Sequence, residues 1–206
     1  MIKKGTGFLI FLMFTTLSNA QVRKVNRTKE TLRHGEITFN DSTTIACNFF
    51  YNPLTEEGIL FVKQDSITVP CGVTRVRSFS FFDDEGNGMR YFYCVPLTNY
   101  DGGNPLGKYF FESIYDNKTI SVLGRLTVKQ RSNYNPYYPG VRITDHYKKY
   151  LLDHRDGKLY ELSRKKMLEL ISDKEEVMNY MYMKHYKLHE KDLDQYFALI
   201  DLYSRL

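Results

Sequence analysis

The stretch of chain with the clearest capacity for recognition is a run of tyrosines and arginines in its second half. Its members are Arg131, Tyr134, Tyr137, Tyr138 and Arg142. Aromatic rings and guanidinium groups bury contact area at low entropic cost, and both are therefore enriched at recognition sites. We predict a ligand-binding surface at these five residues. The alternative, which is the commoner use of such rings, is packing over a sheet edge or over helices.

Pairs of histidine and acid offer the ingredients of catalysis or metal binding, but their spacing argues against both. If one strand joins Asp145-His146 to Asp153-His154, the two histidines lie roughly 27 Å apart and cannot share a metal ion. His185 and His189 are four residues apart, as on one face of a helix. Their segment lacks the glutamate of the H-E-x-x-H zinc motif and is expected to span a helix junction. No metal site is therefore expected.

The acidic segment Asp83–Gly88 (DDEGNG) resembles the first half of a calcium-binding loop, with alternating oxygen ligands and a glycine at the sixth position. The twelfth position is Cys94, however, where such loops carry a bidentate glutamate. A solvated hairpin turn is the better interpretation. No glycine-rich phosphate loop and no G-x-S-x-G motif occurs in the sequence, so no cofactor is expected and any catalytic residues stay unknown.

The chain has three cysteines, Cys47, Cys71 and Cys94, which cannot all pair with one another. Cys47 shares the alternation of Ile45 and Phe49, which is typical of a small buried side chain. Free thiols are favoured over a single bridge, and the connectivity of any bridge is open. The sequence has no C-x-x-C spacing that would indicate zinc or redox chemistry.

The first twenty residues have the pattern of a secretory signal peptide. Lys3 and Lys4 precede the apolar run Phe8–Leu17, and Ser18-Asn19-Ala20 supplies small residues before Gln21. The run of about ten apolar residues is too short to span a bilayer. We therefore predict export through the inner membrane, with a mature protein that is periplasmic, extracellular or associated with the envelope.

The charge of the mature chain gives no reason to expect nucleic acid as a partner. Removal of residues 1–20 takes away Lys3 and Lys4 but no acid, so the formal charge falls from +5 to +3. The remaining charges are mixed along the chain, without a basic stripe. The mature chain also has no second apolar run of about 18 residues, so no transmembrane segment is predicted in it.

The mature chain divides into three parts. Residues 21–34 are polar and are predicted to form a flexible N-terminal arm. Residues 35–162 alternate apolar and polar side chains between tight turns, the last at Asp156-Gly157, and this favours an antiparallel meander that forms a sandwich or an open barrel. Within this β domain, residues 129–146 contain two prolines and three tyrosines and are predicted to be a long loop.

The third part, residues 163–206, changes to helical periodicity and is predicted to form three helices. Ser163 is the expected N-cap of the first helix, and Ser172–Glu175 has the pattern of a capping box for the second. The third helix is expected from about Glu190. The predicted fold class is therefore α+β, with an antiparallel β meander followed by a C-terminal three-helix segment.

This order of elements resembles a family of uncharacterised secreted proteins from Bacteroidota, and the resemblance covers most of residues 35–206. The segments that carry it are Gly35–Phe39 with Asp41, Tyr109–Tyr115 with Ile120–Leu123, and Tyr150–Leu152 with Asp156–Leu162. The resemblance implies export to a Gram-negative envelope. It implies no activity and no functional residues, since none is assigned to the family.

Taken together, these features favour an exported envelope protein that is non-enzymatic and acts by binding a protein or glycan partner. The first alternative is a hydrolase of cell-wall or dietary polymers, whose acid and base carboxylates are brought together by the fold. The second alternative is a structural subunit of a surface assembly.

Overall fold

The computed structural model describes residues 32–53, 60–64, 67–83, 88–98, 105–133 and 140–206. The predicted signal peptide (residues 1–20) lies outside these residues, as do residues 21–31 of the predicted arm. The first strand begins at Leu32, so it includes the last three residues that the sequence pattern assigns to the arm.

In the described ranges, ten strands come first and three helices last, which confirms the predicted α+β class. The strands are β1 (Leu32–Phe39), β2 (Thr44–Tyr51), β3 (Leu60–Gln64), β4 (Ile67–Cys71), β5 (Val76–Asp83), β6 (Gly88–Thr98), β7 (Pro105–Tyr115), β8 (Ile120–Asn133), β9 (Gly140–Asp153) and β10 (Lys158–Glu161). The helices are α1 (Arg164–Ile171), α2 (Glu175–Met183) and α3 (Leu193–Arg205).

All ten strands belong to one open antiparallel sheet in the order β10-β9-β8-β7-β6-β5-β1-β2-β3-β4. In a flat sheet, β4 at one edge would lie about 19 Å from β5, because three strands separate them. The connection between β4 and β5 is a tight turn, however, in which the Val76 amide donates to the Gly72 carbonyl at 3.2 Å. A turn of this kind spans only about 6 Å. The first half of the sheet is therefore rolled.

An aromatic core fills the inside of this roll. The Phe79 and Phe92 rings stack with their centroids 4.6 Å apart, and Phe110 meets Phe79 edge-on at 5.0 Å. Tyr51 packs edge-on against Phe79 and Phe92, at 4.9 Å from each. Such pairs stabilise a core beyond the area that they bury. The buried members of this aromatic core are Ile37, Phe49, Leu60, Val62, Cys71, Val76, Phe79, Phe81, Phe92 and Phe110.

The second half of the sheet is covered on both faces. On one face, Ile120, Val122 and Leu151 share a buried cluster with all three helices. On the other face, Val95 of β6 shares a cluster with Leu159 of β10, although three strands lie between them in the sheet. This half is therefore curved as well, and the helices bury their apolar faces on it, as short helices must in water.

The helix ends follow the sequence prediction in part. Ser163 caps α1, because its hydroxyl accepts from the Lys166 amide at 3.2 Å. The predicted capping box at Ser172–Glu175 is wrong. Ser172 is the C-cap of α1, and its hydroxyl donates to the Glu169 carbonyl at 3.0 Å. The N-cap of α2 is instead Lys174. The serine is therefore used to end one helix rather than to start the next.

The predicted loop at residues 129–146 is also wrong. Strand β8 continues to Asn133 and β9 begins at Gly140, and the two pair along this whole length. The prolines of the segment lie at 136 and 139, outside the described residues and between the strands. The strands were not predicted because the segment lacks the clear apolar alternation of a half-buried strand.

Candidate functional site

Strands β8 and β9 continue as a two-stranded ribbon beyond the part of β8 that pairs with β7. Strand β7 pairs with β8 only as far as Gly124, whereas β8 and β9 stay paired from Thr127 opposite His146 to Asn133 opposite Gly140. We call these last seven pairs the ribbon. At about 3.3 Å per residue, the ribbon extends over roughly 20 Å.

The ribbon brings together two of the five predicted binding residues. Arg131 stands directly opposite Arg142, although eleven residues separate them in the sequence. Tyr134, Tyr137 and Tyr138 lie outside the described residues, so their share in a binding surface stays a prediction.

The strand register also distributes the charges of the ribbon between its two faces. Lys129 is opposite Thr144, two positions from the arginine pair, and therefore belongs to the same face. Asp145 is opposite Val128 and belongs to the other face. Like charges placed directly opposite each other destabilise a strand pair.

A second constellation lies on the inner face of the roll, where charged side chains link strands from β1 to β9. Arg90 donates two hydrogen bonds of 2.8 Å to the two oxygens of Glu112. Arg90 also lies 3.5 Å from Asp83, which in turn lies 3.7 Å from Arg33. Tyr147 donates its hydroxyl hydrogen to Glu112 at 2.8 Å. We call these five residues the charge ladder.

The charge ladder rests on the aromatic core. The guanidinium carbons of Arg33 and Arg90 lie 5.2 and 5.6 Å from the centre of the Phe81 ring, within reach of a cation–π attraction. Burial opposes the charge of Arg90, but its hydrogen bonds to Glu112 outweigh this and raise its pKa. Burial, together with the charge of Glu112, raises the pKa of Tyr147 as well. The Tyr147 hydroxyl therefore stays protonated and keeps its donor role.

The Tyr147 ring reaches Glu112 by crossing β8 at Gly124. A Cβ atom at position 124 would lie 2.0 Å from the Tyr147 oxygen and 2.4 Å from the ring carbon that carries it. Gly124 is also the register partner of Glu112 on β7. A side chain at Gly124 would therefore block the contact between the tyrosine and the glutamate.

The bonding of the charge ladder suits a structural role. Its two acids and two guanidinium groups balance in charge, and both oxygens of Glu112 accept hydrogen bonds. No motif marks these residues in the sequence, since they are spread over more than a hundred positions. One local signal does exist: Asp83 follows Phe81, and Arg90 precedes Phe92, at the two-residue spacing of an inward-facing strand position.

A serine, a histidine and an acid meet where β8 begins and β9 ends. Ser121 Oγ lies 2.8 Å from His154 Nε2 and donates to Asp116 Oδ1 at 2.6 Å. In a catalytic triad the histidine stands between the serine and the acid, whereas here the serine stands between the other two. His154 therefore donates to the serine oxygen instead of accepting its proton. Since Ser121 is only 1% exposed, the cluster is better explained as stabilising the turn before β8.

Arg155, in the turn between β9 and β10, links the sheet to the helices. Its guanidinium makes a bidentate pair with Asp153, with bonds of 2.9 and 2.8 Å. The same group donates to the Leu170 carbonyl at the end of α1, at 3.0 Å, and to the Tyr203 hydroxyl of α3. Asp173, just before α2, lies 3.7 Å away. We call this arrangement the Arg155 clamp.

The acidic segment and the histidine pair of the sequence lie at the ends of strands and helices. Asp83 ends β5 and is the register partner of Gly88, which begins β6. Residues 84–87 lie outside the described ranges, so the solvated turn stays a prediction. His185 follows the end of α2 and His189 precedes α3, so the two histidines do not share a helix. Within the described ranges, no group of three or more potential ligands from His, Cys, Asp and Glu could hold a metal ion.

The three cysteines are free thiols beside the aromatic core. Burial raises the pKa of Cys47, Cys71 and Cys94 alike. Raised pKa values keep thiols protonated and therefore poor nucleophiles. These positions thus behave as small apolar side chains, as the alternation around Cys47 suggests.

No family model, no curated protein and no solved structure matches this chain in the three comparisons. The resemblance to secreted proteins of Bacteroidota therefore stays an expectation. In the part of the chain that the structure describes, no helix combines the length and apolarity needed to cross a bilayer.

Proposed function

We propose that the protein is an exported, non-enzymatic binding module and that it holds a carboxylate-bearing partner on the ribbon. The observation that carries this proposal is the direct opposition of Arg131 and Arg142 where β8 has left β7. Two strands that pair only with each other are marginal in stability, and a like-charge pair weakens them further. An arrangement that lowers stability is expected where the charges serve a ligand.

The chemistry of the two arginines supports an acidic partner. Each guanidinium can form two parallel hydrogen bonds with a carboxylate, and these charge-assisted bonds are stronger than neutral ones. Lys129 adds a third cation to the same face. Tyr134, Tyr137 and Tyr138, the other predicted binding residues, follow β8 directly in the sequence.

Export supports a partner in the cell envelope, where both acidic proteins and acidic glycans occur. The signal-peptide pattern of residues 1–20 is the basis for this part of the proposal. Detection of the protein in the periplasm, with a chain that begins near Gln21, tests it directly. A protein that retains Met1 and stays in the cytoplasm contradicts it.

Two carboxylate-rich probes test the binding proposal and distinguish the two kinds of partner. Poly-L-glutamate represents an acidic protein, and polygalacturonate represents an acidic glycan. We expect the protein to bind at least one of them in a calorimetric titration, with an affinity that falls as salt is added, because exposed charges are screened.

The variant R131A/R142A should weaken this binding at least about tenfold, since hydrogen bonds to charged groups contribute about 1.5–3 kcal/mol each. The matched control is R164A/R205A, which removes the same charge from exposed helix positions and should keep the affinity. Equal losses in the two variants, or no binding of either probe, would contradict the proposal.

A further inference from the structure

The outer face of the rolled half of the sheet carries large apolar side chains that are 40–49% exposed among the described residues. Among them are Leu32, Phe61, Phe82, Met89 and Tyr91. They belong to strands β1, β3, β5 and β6. All five lie on the face opposite the aromatic core. We call these five residues the outer stripe.

The register of the strands makes the outer stripe continuous. Leu32 is paired with Phe50, and Phe50 is paired with Phe61. Phe82 is paired with Met89 on the next two strands. Because Gly35 is opposite Phe81, Phe82 lies one diagonal step from Leu32 across β1 and β5. The stripe therefore crosses five neighbouring strands, over roughly 19 Å.

The area of the outer stripe is too large for scattered surface residues and suits the centre of an interface. Large apolar side chains expose about 150–250 Å² each when free, so five that are almost half exposed present about 400 Å². Patches of about 300–600 Å² on single proteins are often functional. A standard interface buries about 800 Å² on each partner, of which a little more than half is apolar.

The composition of the outer stripe favours a second copy of the same chain as the occupant. Two identical surfaces can meet only if like charges do not face each other, and the mature chain has a formal charge of +3 once Lys3 and Lys4 are removed. The stripe itself carries no charge. Beside it on β1 and β2 lie His34 and Asn48, which are joined by a hydrogen bond of 3.0 Å. Glu36, the next residue of β1 on this face, is exposed but lies outside the stripe, so two copies can meet along the stripe without like charges facing each other.

We propose that two copies of this chain pack their outer stripes together, sheet against sheet, around a twofold axis. Packed antiparallel sheets lie about 10 Å apart with their side chains interleaved, and this is the usual way to bury a second apolar sheet face. In a twofold contact the same residues serve both copies, so each stripe residue is used twice. The contact does not involve the ribbon, which remains available in both copies.

Sedimentation velocity of the protein at roughly 1–100 µM tests the proposal. This concentration range is chosen because small interfaces bind weakly. We expect a dimer whose dissociation constant rises about 30-fold or more in M89K, because twofold symmetry places the lysine in the apolar contact twice, once from each copy. Met183 is a matched control, since it is an apolar methionine, 72% exposed, on α2. M183K should leave the dissociation constant unchanged.

Three results would overturn the proposal. They are a monomer at every concentration, a dimer that M89K does not weaken, and a dimer that M183K weakens as much as M89K does. Because both methionines are exposed, neither variant should change the circular dichroism spectrum or the melting temperature of the monomer. As a second probe of the same contact, F82S should weaken the dimer without adding a charge.

Discussion

Because Tyr147 lies so close to Gly124, the effect of G124A on stability should depend on whether the tyrosine is present. In G124A the new methyl group meets the tyrosine ring at 2.0–2.6 Å, and the ring must swing away. The hydrogen bond from Tyr147 to Glu112 is then lost. We expect G124A to destabilise the fold.

The size of the effect follows from two opposing contributions. A hydrogen bond to a charged group contributes about 1.5–3 kcal/mol to stability, and partial exposure of the Tyr147 ring places the value near the lower end. Replacement of a strand glycine by alanine stabilises by about 0.4–1 kcal/mol, because the unfolded chain loses freedom. The net result is a loss of about 1 kcal/mol in the free energy of unfolding.

The same substitution should have the opposite sign once the ring is absent. In the Y147A background the methyl group meets no ring, so G124A should be neutral or stabilising by up to about 1 kcal/mol. Urea denaturation of the wild type, G124A, Y147A and the double variant measures all four stabilities. If G124A destabilises both backgrounds equally, the tyrosine ring is not the obstacle and the reasoning is refuted.

Two further predictions concern the helices. R155A removes the clamp and leaves Asp153 buried without its guanidinium partner, so the free energy of unfolding should fall by about 2 kcal/mol. The control is R205A, which removes an exposed arginine and should change the free energy of unfolding little. Burial raises the pKa of Tyr196 to about 12. Because its unfolded pKa is about 10, its contribution is complete below pH 10 and is lost as the pH rises toward 12. Denaturation from pH 9 to 12 checks this, and Y196F should show a smaller alkaline loss.

The parts of the fold that depend on local signals could be predicted from the sequence. Alternating side chains and turn residues gave most of the hairpins, and Gly157 takes the left-handed conformation, φ 68°, that the Asp156-Gly157 turn needs. Ser163 caps α1 as expected. The order of strands and helices follows from these local preferences, because each involves residues that are close in sequence.

The parts that depend on distant pairing could not be predicted. Strand β5 pairs with β1 rather than with β4, and nothing in either segment specifies that partner. The charge ladder depends on this pairing, since it joins Arg33 to Asp83 across β1 and β5. Residues 129–146 were predicted as a loop because they contain two prolines and three tyrosines, although β8 and β9 pair as far as Asn133 and Gly140.

Replacement of the ribbon by a tight turn tests the central claim most directly. Thr127 and His146 are register partners, so Asn-Gly can join them as a two-residue hairpin in place of residues 128–145. The deleted segment begins beyond Gly124, the last residue of β8 that pairs with β7. We predict that this variant folds with a melting temperature close to that of the full chain and binds neither poly-L-glutamate nor polygalacturonate. A folded variant that binds these probes as tightly as the full chain would contradict the account.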